Sequence, residues 1–320
     1  MDARELVHLK GVVSRSRASA EALVAATGAP LEIYESLADV AADPSIDFAI
    51  VVTPPNARAE VIAPLAAAGK HILLEKPVGR TAAEARAVVA LCAEADVQLG
   101  VVFQHQMRAA SLAARDLVAS GRLGALGVAE MRVPWWRDQG YYDEPGRGTY
   151  ARDGGGVLIS QAFHTIDLAL SLTGPVKAVR AMAHTTMFHD MEAEDYVTAA
   201  LRFANGAVGS MVASTASYPG GAESITLHFE KASLHLEAGT LTVSWRDGRV
   251  ETYGAQAETG GGADPMAFTH AWHQEIITDF AKAIRAGRAP MVTGAQALVA
   301  HDFIDAVTAA AQTGSEVELT

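Results

Sequence analysis

FAIVVTPPNARAEVIAPLAAAGKHILLEKP, Phe48–Pro77, reads as one complete unit of an alternating β/α fold. Residues 48–52 are an unbroken apolar run, the pattern of a strand buried on both faces. Thr53-Pro54-Pro55-Asn56 interrupts it with turn-forming residues. Residues 58–68 are Ala-rich and helical, and they stop at Gly69, the residue type preferred just past a helix end. Residues 71–74 are the next strand, and Pro77 closes it. Proline disfavours helical backbone in the residue before it, so Lys76 is expected to be extended at the strand end. A strand–helix–strand of this length implies a right-handed crossover between parallel neighbours.

The alternation continues on both sides. Strands are expected at 6–13, 33–34 and 98–103, and helices at 18–27, 37–42 and 82–95. The first helix is closed by Gly28. This is an α/β chain with a doubly wound parallel sheet, whose ligands sit at the carboxyl ends of the strands. Those ends are Ser14-Arg15-Ser16-Arg17, Thr53-Pro54-Pro55-Asn56, Glu75-Lys76-Pro77 and Gln104-His105. All four are polar or turn-forming, as a cofactor crevice requires.

The pattern changes after residue 105, which divides the chain into domains 1–105 and 106–320. A helix at 110–119 and a strand at 126–133 come first. Seven more strands follow at 176–186, 196–203, 207–214, 224–229, 233–237, 241–245 and 250–253. Asn205-Gly206 and Asp247-Gly248 are two-residue hairpin signals. Gly260-Gly261-Gly262 reads as a flexible loop, and helices at 268–286 and 295–311 close the chain.

The 320 residues carry 25 Lys+Arg against 37 Asp+Glu, a net charge of −12. That balance argues against nucleic acid or an anionic membrane as the main partner. No window of about 20 residues is continuously apolar. The single cysteine, Cys92, excludes an internal disulfide framework and any multi-cysteine metal site. The N-terminal residues show no basic-then-apolar leader pattern. A cytoplasmic enzyme or binding protein is expected.

Two stretches carry candidate chemistry. Gly154–Asp167, GGGVLISQAFHTID, opens with three glycines that let the backbone come close to a ligand or to another segment. A helix starting near Gly156 places Ser160, His164 and Asp167 on one face with Gln161 beside them. His164, between two potential hydrogen-bond partners, suits a general base. Residues 134–153 are rich in aromatics and arginines, which cover the apolar face of a sugar and fork onto carboxylate or phosphate. Trp135, Arg137 and Tyr142 are the expected substrate contacts there. His270 and His273 have metal-like spacing but no placed third ligand, so no metal is expected. His184 and His189 read as surface or sheet residues.

Val51-Val52-Thr53-Pro54-Pro55-Asn56, Ala68-Gly69-Lys70-His71 running into Glu75-Lys76-Pro77, and the Gly154 stretch with His164 and Asp167 resemble the glucose–fructose oxidoreductase / inositol dehydrogenase (Gfo/Idh/MocA) family. The resemblance covers nearly the whole chain. It implies a Rossmann domain for NAD(P) followed by an α/β domain with a large, mostly antiparallel sheet. It further implies hydride transfer between nicotinamide and a hydroxyl/carbonyl pair of a sugar, cyclitol or sugar-acid-like substrate. A dihydrodiol dehydrogenase of the same family, or a non-catalytic NAD(P)-binding regulator, are the alternatives. Lys76 and His164 are the implied catalytic pair, His164 exchanging the proton and Lys76 steadying the oxyanion. Ser160 stands where many members carry Asp, so Ser160, Gln161 and Asp167 are expected as substrate-binding residues. Ser14, Arg15, Arg17, Thr53, Pro54, Asn56, Glu75, Lys76 and Gln104 are the expected cofactor contacts. Ser14 and the arginines stand where NAD enzymes carry an acidic residue for the ribose hydroxyl, which favours NADP over NAD. The resemblance also implies a homodimer or homotetramer built through the second-domain sheet. No G-x-G-x-x-G loop precedes Leu6. Residues 1–5 then correspond to the end of the helix that follows such a loop, and residues 6–13 to the second strand. The expectation is either a start inside a longer gene or weak cofactor binding.

Overall fold

A computed structural model describes residues 3–256 and 269–319. The glycine patch Gly260–Gly262 and the expected start of the following helix at residue 268 lie outside the described residues. In chain order the elements of the first part are α1 (Ala3–Leu6), β1 (Gly11–Val12), α2 (Arg17–Thr27), β2 (Glu32–Ile33), α3 (Leu37–Ala42), β3 (Phe48–Val51), α4 (Arg58–Ala67), β4 (His71–Glu75), α5 (Ala82–Glu94) and β5 (Leu99–Val102). The helix starts follow local capping rules. Ser16, Ser36 and Thr81 each accept a backbone N–H of the first turn of α2, α3 and α5.

The parallel strands form two separate sheets, β1–β2 and β3–β4–β5. The expected strand over 6–13 is reduced to Gly11–Val12, because Ala3–Leu6 is helical and only two residues find a partner strand. Among the described residues neither β1 nor β3 has a main-chain partner on its other edge. Apolar side chains beside the β3 edge are correspondingly exposed, Ile50 at 40% and Val52 at 71%.

The second part comprises α6 (Ala109–Ala119), β6 (Leu126–Pro134), α7 (Gln139–Tyr142), α8 (Phe163–Thr173), β7 (Val176–His184), β8 (Tyr196–Phe203), β9 (Val208–Ser214), β10 (Ser224–Phe229), β11 (Ala232–Glu237), β12 (Thr240–Trp245), β13 (Val250–Gly254), α9 (Ala271–Ala286), α10 (Gly294–Thr313) and β14 (Val317–Glu318). Its nine-stranded sheet has the order β13-β12-β11-β10-β6-β9-β8-β7-β14. All neighbours are antiparallel except β6 and β9. Both expected hairpin turns form, with Gly206 at φ +90° and Gly248 at φ +92°, a region open to glycine at little cost.

Burial alternates along these strands, as in Ser224–Phe229, so one face enters the core and the other stays open. Helices α6, α8 and α10 cover the core face. Helix α10 also packs on α5 and β5, and α9 on β4 and β5, so the C-terminal helices return to the parallel strands. Among the described residues no helix is long and apolar enough to cross a membrane.

Candidate active site

The site forms where the carboxyl ends of β3, β4 and β5 meet the entry to α8. Buried Arg58 ties two of these ends together. Its Nε donates to the Thr53 carbonyl (3.0 Å) and its Nη2 to the Lys76 carbonyl (3.2 Å). Burial lowers its pKa to about 10. On the other side of Pro77 the Val78 N–H donates to Nε2 of buried His301 on α10 (3.1 Å). The backbone on both sides of Lys76 is therefore held. Its Nζ reaches across to the second domain and donates to the Ser160 carbonyl (2.6 Å). Burial lowers the pKa of this ammonium, opposed by the charge of Glu75. Burial in turn raises the Glu75 carboxyl, opposed by Lys76 and Arg58.

The glycine turn delivers the second half. A Cβ on Gly154 would lie 2.6 Å from the Cα of Arg80, and one on Gly156 would lie 2.7 Å from the carbonyl carbon of Glu194. The close approach that three glycines permit is thus to other chain segments. Glu194 clamps the turn. Its carboxylate accepts the N–H groups of Gly156 and Leu158 (each 3.1 Å), and its carbonyl accepts that of Val157 (2.8 Å). The chain then makes a π-helical turn over Leu158–Ala162 before α8 begins at Phe163. The expected regular helix from Gly156 is replaced by this wider turn, which presents the Ser160 carbonyl to Lys76.

His164 is 7% exposed, and its Nδ1 has no protein partner. It lies edge-on to Phe103 (ring centroids 5.8 Å apart) and is stacked on His105 at 4.8 Å with the planes 31° apart. Burial, then Lys76, Arg108 and His273, hold its pKa well below the ordinary histidine value. His105 is equally buried. Its Nε2 accepts from Arg108 Nη2 (2.6 Å), and Arg108 Nη1 donates to Glu223 (2.7 Å). His105, Arg108, Ser111, Thr165 and Glu223 border a small space of about 20 Å³ beside the paired imidazoles.

The expected site residues fall into three groups. Lys76, Glu75, Ser160, Gln161 and His164 are brought together, and Thr53 and Gln104 face the same strand ends. Thr53 Oγ1 and Gln104 Oε1 are buried without protein partners. Pro54 is half-buried and Asn56 exposed beside them. Ser14, Arg15 and Arg17 are exposed at the end of β1, where Arg17 is already paired with Glu21 (3.0 Å) and Glu35.

The remaining residues differ from expectation. Trp135 and Tyr142 are packed inside the aromatic loop, with the Tyr142 hydroxyl on Thr215 (2.6 Å). Arg137 is buried, with its guanidinium near Trp135 and Tyr141. The loop packs inward because its backbone pairs with residues 214–216, as in Trp135 N–H to the Ser214 carbonyl (2.9 Å). Tyr141, not Tyr142, meets the site, accepting from Gln161 Nε2 (3.1 Å). Asp167 points away from His164. It accepts from Gln106 (2.7 Å) and borders a cleft of about 320 Å³ between α6, α8 and α10. Burial pushes its carboxyl up to about 7. The reason is that nearly every residue of α8 is buried, so residues three apart meet different elements. His189, read as a surface or sheet residue, is buried between Asp195 (2.6 Å) and the Arg137 carbonyl (2.8 Å) and anchors the aromatic loop. Among the described residues no group of three or more His, Cys, Asp or Glu is placed to hold a metal ion.

Sequence reasoning missed Arg58, Tyr141, His105, Arg108, Glu194 and Glu223. His105 stood in a recognised strand end and Arg58 just after another. Nothing local marks Glu223, whose partner Arg108 is 115 residues away.

The nicotinamide end of a dinucleotide fits these residues. It would lie at the ends of β3, β4 and β5 against Lys76, where Thr53 and Gln104 offer buried polar atoms that lack protein partners.

Comparison with known proteins places this geometry. Residues 1–103 match the family described as "Oxidoreductase family, NAD-binding Rossmann fold", and residues 111–235 match the "GFO/IDH/MocA C-terminal domain". A levoglucosan dehydrogenase of Pseudarthrobacter phenanthrenivorans is 28% identical over 54% of this chain and 50% of its own. The NADP(+)-dependent D-xylose 1-dehydrogenase 2 of Haloferax volcanii is 27% identical over 96% and 91%. The WlbA dehydrogenase of Bordetella pertussis, solved with NADH and UDP-GlcNAcA, superposes with a TM-score of 0.81 at 28% identity, covering 97% of this chain and 90% of that one. The chain spans about half the length of several curated relatives it matches, 44% to 50% for three of them. Two profiles of one family that together cover most of the residues, on a fold shared with its solved members, establish that the chain belongs to the GFO/IDH/MocA oxidoreductases.

Proposed function

We propose that the chain is an NAD(P)-dependent oxidoreductase that moves hydride between nicotinamide and a hydroxyl/carbonyl carbon of a sugar, cyclitol or sugar-acid-like substrate. The observation that carries this reading is the convergence of the Lys76 ammonium and the His164 imidazole at the carboxyl ends of the parallel strands. Related dehydrogenases act on levoglucosan, D-xylose and inositol. When bound, nicotinamide supplies the hydride acceptor or donor. In the oxidising direction neutral His164 takes the hydroxyl proton. Lys76, fixed by Arg58 and the Ser160 carbonyl, holds its charge against the developing oxyanion. Gln161 and Tyr141 orient the substrate beside His164, and Ser160 contributes its carbonyl to Lys76.

Turnover with NAD+ and NADP+ across sugars, cyclitols and aromatic dihydrodiols tests the function. We expect oxidation of at least one polyol; dinucleotide binding without turnover on any member of the set would favour a regulator. We further read NADP as preferred, through Ser14 and Arg15. The competing carboxylates around Arg17 leave the phosphate contact to Arg15. Arg15→Ala is expected to weaken NADP+ about tenfold, roughly 1.4 kcal/mol, and to leave NAD+ unchanged. Equal losses for both dinucleotides would remove this preference.

A homodimer or homotetramer through the open face of the large sheet completes the proposal. Helices cover the other face, and Val128, Met182 and Val208 are exposed on this one. Light scattering is expected to give at least twice the single-chain mass. A single-chain mass at micromolar concentration would refute the assembly.

A further inference from the structure

We propose that Arg108 is a positioning residue that fixes the tautomer of His105 and keeps the stacked imidazole pair, His105 and His164, uncharged. This rests on the reading of His164 as the base. The geometry is a continuous buried chain. Glu223 Oε1 accepts from Arg108 Nη1 (2.7 Å), Arg108 Nη2 reaches His105 Nε2 (2.6 Å), and the His105 ring stacks on His164 (4.8 Å). A guanidinium has donors and no acceptor. His105 Nε2 must therefore carry a lone pair, and the neutral ring holds its proton on Nδ1. Protonating His105 would set N–H against N–H and break the bond.

The guanidinium cannot swing away. Glu223 holds one edge, and the Trp272 ring covers its face at 4.3 Å. Arg108 and Glu223 are 6% and 4% exposed, so breaking either contact would strand a buried charge. The charged and titratable groups facing His164 are Lys76 at the end of β4, His105 and Arg108 before α6, and His273 on α9. The two cations among them, Lys76 and Arg108, oppose a charge on the ring. Glu223 balances the guanidinium, so the burial carries an ion pair and not a lone charge. His164 consequently stays neutral and able to accept a proton at pH values where a solvated histidine is charged.

The test is nitrogen NMR of histidine-labelled protein without cofactor, from about pH 5 to about pH 8, the range in which free imidazole titrates. In the wild type, His105 is expected to show a protonated Nδ1 and a bare Nε2 throughout. Glu223→Gln leaves the guanidinium in place and is expected to keep that tautomer. Arg108→Met is expected to raise the titration midpoints of His105 and His164 by about one pH unit, a tenfold gain in proton affinity. An Nε2–H or charged His105 in the wild type, or a changed tautomer in Glu223→Gln, would overturn the proposal. So would unmoved midpoints in a folded Arg108→Met. If Arg108→Met does not fold, the first two samples still decide. The spectra do not depend on turnover, so a failure of His164 as the base, seen kinetically, is distinguishable from a failure of this assignment.

Discussion

His164→Ala is expected to lower turnover by about 10²–10⁴, the range for loss of a general acid–base group. At the Lys76 end of the site this imidazole is buried, keeps a ring nitrogen without a protein partner and is held in its neutral form. The sign of the pH dependence follows from its surroundings. Burial and the neighbouring cations hold its pKa well below the ordinary value, so the neutral, proton-accepting form persists as pH falls through about 6.5. Oxidation rates should therefore show no acid limb near the ordinary histidine value, and the limb should appear further into acid. Steady-state turnover across pH, for wild type and His164→Ala, measures both. An unchanged turnover number in a folded variant would remove His164 from the mechanism. An acid limb at about 6.5 would show that the buried charges do not act on it as described.

Gly156→Ala is expected to cost about 3 kcal/mol or more, at the upper end of overpacking losses. A Cβ there would overlap the carbonyl oxygen of Glu194 and lie 2.7 Å and 2.9 Å from its carbonyl carbon and nitrogen. These are backbone atoms, so no rotamer change relieves the contact. The turn and the strand that follows Glu194 must separate, which also breaks the Gly156, Val157 and Leu158 N–H bonds to that residue. The Ser160 carbonyl moves with the turn, so Lys76 loses its anchor. Thermal unfolding should show a melting point lower by several degrees, and activity should fall more than stability alone accounts for. A melting point equal to the wild type would refute the close approach.

Much of the architecture was legible locally. Apolar runs, helix stops at Gly28 and Gly69, and the Asn205-Gly206 and Asp247-Gly248 turns each encode their conformation within a few residues. The same locality made Lys76 and His164 visible, because an extended residue before proline and a histidine after a glycine turn are short-range patterns. Side chains took unexpected directions where a local pattern met a non-local neighbour. Trp135 and Tyr142 had suitable chemistry for a pocket wall, but pairing of their loop with residues 214–216 turned them inward. Asp167 lies three residues from His164, yet on a helix with almost every residue buried the two meet different elements.

By itself the sequence determined the α/β alternation, the antiparallel second half and the strand ends that form the crevice, and it singled out Lys76 and His164, which the fold brings together. Hydrogen-bond geometry and hydrophobic periodicity act over one or two turns of chain, and that is the range a sequence pattern records. Only the tertiary structure decided which polar groups surround those two residues. Arg58 joins two strand ends, Glu194 holds the glycine turn from 38 residues away, and Glu223 balances Arg108 across 115. Burial strips these groups of water, so each must find a partner wherever the fold supplies one. That requirement carries no sequence spacing, and it sets the charge state of the imidazoles at the centre of the site.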